Sequence, residues 1–209
     1  MAGITLLYVL GTRYQWFTDS PASDSVYLLA LAVGAYSLTV ALKHAFGLPR
    51  PPGAATATAP SWIPALGHAA YESMVTGDGF GFPSGHALKT AVVYGGAAFA
   101  LDVWDRPRRL AVAGLLAVLV AASRIFLGVH YTVDVVAGAL VGVVFLAAAI
   151  RLTGQRPART LAISAVLAGL AFATSGTAKT GFALAAAAVG FVVWTAADRL
   201  PVGAASGER

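Results

Sequence analysis

The chain has 209 residues, of which 58% are hydrophobic and only 11% charged, whereas an ordinary soluble domain carries roughly 25% charged residues. That balance excludes a disordered chain, a collagen-like fibre and a soluble globule, and the absence of cysteine excludes disulfide frameworks, thiolate metal sites and cysteine nucleophiles. The net charge is +5, from 14 Lys and Arg against nine Asp and Glu; its basic residues sit mostly in short loops between apolar runs, as in membrane proteins rather than nucleic-acid-binding ones.

In chain order, residues 4–10 are apolar but too short to span a bilayer, follow no positive charge and lack a small-residue cleavage site. They do not read as a signal peptide. They read as the end of a helix whose beginning is missing, so a truncated start is expected. A bilayer-crossing helix needs about 20 mostly apolar residues, and such runs lie at 26–43, 87–103, 110–127, 131–151, 160–174 and 180–197, the fifth rather short. The expectation is an all-α integral membrane protein with about six transmembrane helices, forming one membrane domain over 1–209. Its core is placed at 26–151, with two extra C-terminal spans over 160–197. The breaks between spans are rich in Pro, Gly and charge, and 47–85 is far longer than the rest. A long loop in a compact chain is usually functional or disordered. There is no internal repeat and no soluble second domain.

Alternating through the spans, one side collects Arg13, Arg106, Arg108, Arg109, Arg151, Arg156, Arg159, Arg199 and Arg209, and the other Lys43, Arg50, Lys89, Arg124 and Lys179. By the positive-inside rule the first side is cytoplasmic, which leaves the 47–85 loop facing outward.

Ionisable groups at membrane depth or at helix ends are expensive, so each is a candidate functional residue. Lys43 closes the first span, His86 opens the second with Lys89 one turn later, and Arg124 sits near the end of the third. His130 and Asp134 lie four apart at the start of the fourth, a spacing that puts them on one helical face, where Asp134 can hold the imidazole in one tautomer. All of these groups fall on the outward side. Lys43, Arg50 and Arg124 with two histidines and one nearby carboxylate make an anion pocket, and phosphate suits the planar fork of arginine. Pro83-Ser84-Gly85-His86 places a small turn before a helix start, where free N–H groups favour anions, and Ser84 is placed to cap the helix or to donate to a phosphate. His130, the histidine with a carboxylate partner, is read as the nucleophile and His86 as the general acid.

These residues form three motifs: Lys43, six residues, then Arg50-Pro51; Pro83-Ser84-Gly85-His86; and Ser123-Arg124, five residues, His130, three residues, Asp134. The sequence thereby resembles the type 2 phosphatidic acid phosphatase (PAP2) superfamily, which also includes vanadium haloperoxidases. The resemblance implies a metal-independent phosphatase or phosphotransferase working through a phosphohistidine, with no cofactor and a lipid phosphate as substrate. It implies that His130 attacks, Asp134 activates it, His86 protonates the leaving alcohol, and Lys43, Arg50, Ser84, Gly85 and Arg124 bind phosphate oxygens. Members typically carry two helices ahead of the one bearing the first motif and few after the third; here only 1–11 precede it and two spans follow. Lys89 is outside the general pattern and is placed to reach a second phosphate of a diphosphate substrate.

The plainer readings are these. His44 and His68 are expected to be packing histidines, Tyr131 and Trp104 interfacial aromatics, Arg106–Arg109 a topology signal, and Glu72 and Asp78 solvated charges or, as the alternative, contacts to substrate. Two histidines and one Asp among several cations would repel a divalent metal ion. The leading reading is a membrane enzyme that removes phosphate from a lipid phosphate or a polyprenyl diphosphate, with Trp62 and the 51–82 loop shaping the headgroup site. A lipid phosphotransferase using the same residues, or a non-catalytic lipid-phosphate-binding protein, are the alternatives. A vanadate haloperoxidase is set aside because such enzymes are expected to be soluble.

Overall fold

A computed structural model describes residues 17–56 and 58–199, apart from the side chain of Met74; the apolar segment 4–10 and the arginines at 13 and 209 lie outside these. Among the described residues there are seven helices and no strand: α1 (Pro21–Phe46), α2 (Ala65–Val75), α3 (Gly85–Ala100), α4 (Arg106–Phe126), α5 (Thr132–Thr153), α6 (Pro157–Ser175) and α7 (Ala178–Ala197). All except α2 and α3 are long and apolar enough to cross a bilayer.

The helix ends follow local chemistry. Proline occupies the first turn of α1, α4 and α6, where its missing N–H is no loss. Asp105 caps α4 by accepting from the Arg108 amide at 2.9 Å. Gly47 ends α1 with φ 61° while its amide donates to the Lys43 carbonyl at 2.9 Å, a left-handed stop that glycine adopts without a Cβ penalty. Three differences from the expected spans have physical reasons. The fifth run lengthens to 19 residues because Pro157 starts it and Gly176 stops it. The second run starts at Gly85 rather than 87 and ends at Ala100, and its 16 residues rise only about 24 Å. This helix packs against α1, α4 and α5, so protein rather than lipid surrounds most of its length. Third, the long loop contains α2, which packs against none of the other described helices and leaves Leu66 exposed, as is the neighbouring Trp62.

The core lies where α1, α3 and α5 meet, built from Tyr27, Leu28, Leu31 and Ala35 on α1, Leu88 and Val92 on α3, and Leu146 and Ala149 on α5. Small residues set the separations. Ser164 on α6 donates to the Ala30 carbonyl of α1 at 2.7 Å across a contact made close by Gly34. On α5, Gly138 and Gly142 lie one turn apart on the face toward α3. A Cβ at Gly138 would stand 2.5 Å from the Ser84 carbonyl oxygen, and one at Gly142 would stand 2.7 Å from that of Leu88. This is the small-xxx-small contact that lets membrane helices approach backbone to backbone, and it places the start of α3 against the start of α5. Gly138→Ala is expected to destabilise the protein by about 1–3 kcal/mol, because backbone atoms cannot yield as a side-chain tip can. Thermal unfolding in detergent checks this against Gly114→Ala, whose added Cβ meets nothing within 4 Å; equal midpoints for the two would contradict it.

Candidate active site

The C-terminal end of α1, the N-terminal ends of α3 and α5 and the loop after α1 enclose a cavity of about 360 Å³. Its walls include Lys43, Arg50, Gly85, His86, Lys89 and His130, so six of the sequence-selected residues, drawn from well-separated stretches, face one space.

His130 lies in the turn before α5 and is only 4% exposed. Its Nδ1–H donates to Asp134 Oδ2 at 3.3 Å, and the same carboxylate oxygen accepts from the Tyr131 amide at 3.0 Å. Nε2 accepts from Arg50 Nη1 at 3.0 Å. These two bonds specify the neutral tautomer with its lone pair on Nε2. Burial first, and the Arg50 cation next, push the His130 pKa below its ordinary value, against the hydrogen bond to Asp134 that raises it. A lowered pKa keeps the ring neutral as pH falls through its usual range near 6.5, so the lone pair stays available under mildly acidic conditions. Asp134 is buried behind the ring, and its backbone carbonyl accepts from the Ser84 amide at 2.8 Å. One residue therefore orients His130 and ties the start of α5 to the turn that precedes α3.

Arg50 is held by the loop around it. Nε donates to the Asp78 carbonyl at 2.9 Å and Nη1 to the Val129 carbonyl at 2.9 Å. The guanidinium fits because Gly77 has no side chain: a Cβ there would meet Nη1 at 2.7 Å. Lys43 Nζ donates to the Phe80 carbonyl and to that of Gly81 at 3.4 Å. Both cations are thus oriented by backbone oxygens rather than neutralised by carboxylates, which leaves their charge available to an anion.

At the start of α3, Gly85 lets the helix abut α1, since a Cβ would meet Thr39 Cγ2 at 2.7 Å. His86 is exposed to the cavity. The amides of this first turn have no intrahelical acceptor and carry the positive end of the helix dipole.

Two sequence-selected residues stand elsewhere. Ser84 occupies the N-cap position, but its hydroxyl makes no capping bond; it is fully buried, and its Oγ has no partner among the described residues. The expected helix cap is therefore not formed: the hydroxyl is buried inside the protein instead of bonding the first-turn amides. Arg124, half-buried near the end of α4, donates from Nε to Ser123 Oγ at 3.1 Å and does not line the cavity, although its charge is felt at His86.

The cavity also has walls that sequence reading did not single out, Tyr36 and Thr39 on α1 and Phe80 from the loop, and it is lined as well by His44 and Asp78. Tyr36, Thr39 and Lys43 recur at helical spacing, a signal that would have placed them on the Lys43 face. His44 does pack, donating to the Val40 carbonyl at 2.9 Å and meeting the Phe80 ring edge-on at 5.5 Å, and it lines the cavity as well. His68 donates to the Ile63 carbonyl at 2.8 Å, away from the site. Among the described residues no three His, Cys, Asp or Glu side chains gather as a metal ion would require.

The family model of the PAP2 superfamily matches residues 24–158, which include every residue of the three motifs. Phosphatidylglycerophosphatase B of Bacillus subtilis is 36% identical over 78 residues, 34% of this chain and 38% of the relative. Lipid A 1-phosphatase of Rhizobium etli is 35% identical over 146 residues, 66% of this chain and 57% of the relative. Undecaprenyl-diphosphatase of Sulfolobus acidocaldarius is 41% identical over 78 residues, 36% of this chain and 35% of the relative. The matches thus span between 35% and 57% of the length of these relatives. No solved structure matches the chain.

Proposed function

The chain belongs to the PAP2 superfamily and is a multi-pass membrane protein, and from that premise we propose that it removes phosphate from a lipid phosphate or polyprenyl diphosphate, through a phosphohistidine and without a metal. The observation that carries this reading is the neutral His130, its Nδ1–H on Asp134 and its Nε2 lone pair beside Arg50 in a cavity shared with Lys43 and His86. Pure binding needs no carboxylate-oriented nucleophile. The printed names of the relatives, three phosphatases acting on lipid or polyprenyl phosphates, support the same substrate class.

In the proposed reaction a substrate phosphate lies between Lys43, Arg50 and the first-turn amides of α3, which stabilise its equatorial oxygens. His130 Nε2 forms a bond to phosphorus as the bond to the leaving oxygen breaks. His86, whose pKa burial and the neighbouring cations lower in the free protein, takes up a proton as the negative phosphate enters beside it and gives that proton to the leaving oxygen. Water then attacks the phosphohistidine, passes a proton to His86 and frees inorganic phosphate and His130. Excess Arg and Lys on the loops at the other end of the helices supports an extracytoplasmic site.

The test is inorganic phosphate release by the detergent-solubilised protein with EDTA present, offered phosphatidic acid, phosphatidylglycerol phosphate and a polyprenyl diphosphate in parallel. Metal-independent release from at least one of them is expected. Folded protein that releases phosphate from none of them would move the reading to a phosphotransferase or a binding protein, and release that EDTA abolishes would remove the metal-free mechanism.

A further inference from the structure

The cavity extends along α1 and α3 beyond Lys43 and His86. On α1 the lining residues run inward from Lys43 to Thr39 and Tyr36, a descent of seven residues or about 10 Å. On α3, which starts at the outer end, Lys89 lies one turn further in than His86. Side chains on a helix lean toward its N-terminus, and Lys89 does so: its Cε comes within 3.8 Å of where a Gly85 Cβ would stand. The ammonium is thereby directed along the cavity toward His86 instead of into the apolar core.

No ion pair among the described residues balances this charge. The ion pairs among the described residues are Arg108–Asp105, Arg109–Asp102 and His130–Asp134, none of which involves Lys89. A half-buried lysine that lines a cavity without a carboxylate partner is costly to keep unless an anion comes to it. Position says which anion. Under the phosphohistidine reading, His130 takes the outer, scissile phosphate and His86 faces the leaving oxygen. Lys89 lines the same cavity and its side chain reaches back toward His86, so its ammonium adjoins the leaving oxygen that His86 faces.

Resting on that reading, we propose that Lys89, with Tyr36 beside it, forms a subsite for the inner phosphate of a lipid diphosphate, and that diphosphates are the preferred substrate class. As the bond between the terminal phosphorus and the bridging oxygen breaks, electron density passes to the inner phosphate and the His86 proton goes to the bridging oxygen. Lys89 stabilises the charge that collects there. The products of this step are the phosphohistidine and a lipid monophosphate, and water discharges the former as before. With a monophosphate substrate the leaving group is a neutral alcohol, and Lys89 has nothing to stabilise.

The experiment compares farnesyl diphosphate with farnesyl monophosphate, which share a tail and differ by one phosphate, in wild type, Lys89→Met and Lys89→Arg. Lys89→Met is expected to lower kcat/KM for the diphosphate by about 10–100-fold while the monophosphate changes by less than about threefold. Lys89→Arg is expected to retain most of the diphosphate preference. Equal losses on both substrates, no loss on either, or a wild type that prefers the monophosphate would each overturn the subsite. In wild type alone, methylenediphosphonate is expected to inhibit at lower concentration than inorganic phosphate, a readout independent of how the variants fold; equal inhibition would count against the subsite. Failure of the underlying reading looks different: wild type would then hydrolyse neither farnesyl substrate.

Discussion

His130→Ala is expected to reduce phosphate release by about 10⁴-fold or more, since it removes the atom that bonds to phosphorus rather than one that assists it. The substitution is structurally mild for a buried site. Asp134 Oδ2 keeps the Tyr131 amide, and Arg50 keeps the carbonyls of Asp78 and Val129. Thermal unfolding and gel filtration in detergent should therefore show a folded protein, so that lost turnover reports chemistry. The companion measurement is a trapping experiment with a substrate carrying ³²P at the scissile phosphate. Acid quench destroys a phosphoramidate and alkali preserves it, so wild type quenched in alkali is expected to retain label and His130→Ala none. Label that persists in His130→Ala, or turnover within about tenfold of wild type, would place the nucleophile elsewhere.

Substitution of His86 should divide substrates by their leaving groups. General acid catalysis contributes about 10²–10⁴-fold, and most where the departing oxygen is strongly basic. His86→Ala is accordingly expected to slow release from a short-chain phosphatidic acid by that amount and to slow the phosphorylation step with p-nitrophenyl phosphate far less, because nitrophenolate departs without a proton. A burst of nitrophenol resolves that step from hydrolysis of the phosphohistidine. His86 is exposed to the cavity rather than packed in the core, so the fold should survive its loss. Equal slowing of both substrates would show that His86 binds phosphate instead of delivering a proton.

Much of this architecture is written in short-range pattern. Five of the predicted spans correspond to helices long and apolar enough to cross a bilayer, because a bilayer demands length and apolarity within one segment and both are visible in a local window. The His130–Asp134 contact is also local, a consequence of spacing at the start of α5. α2 escaped notice because eleven residues set among prolines and glycines, with no other described helix to pack against, leave no apolar stripe to find. The second span was misjudged at both ends because its length answers to the helices around it rather than to the bilayer.

By itself, then, the sequence determined the helical membrane class, the three motifs with the family they imply, and the pairing of His130 with Asp134. Tertiary structure alone decided which of the motif residues face one another. Arg50 meets His130 across 80 positions of sequence, Lys89 and Tyr36 join the cavity, Arg124 stands outside its lining and Ser84 is sealed beneath it. The physical reason is that these relations depend on how closely separate helices approach. That separation is set by side chains that are absent, at Gly85 against Thr39 and at Gly138 against Ser84, and the consequence of a missing side chain is visible only when its neighbour is known.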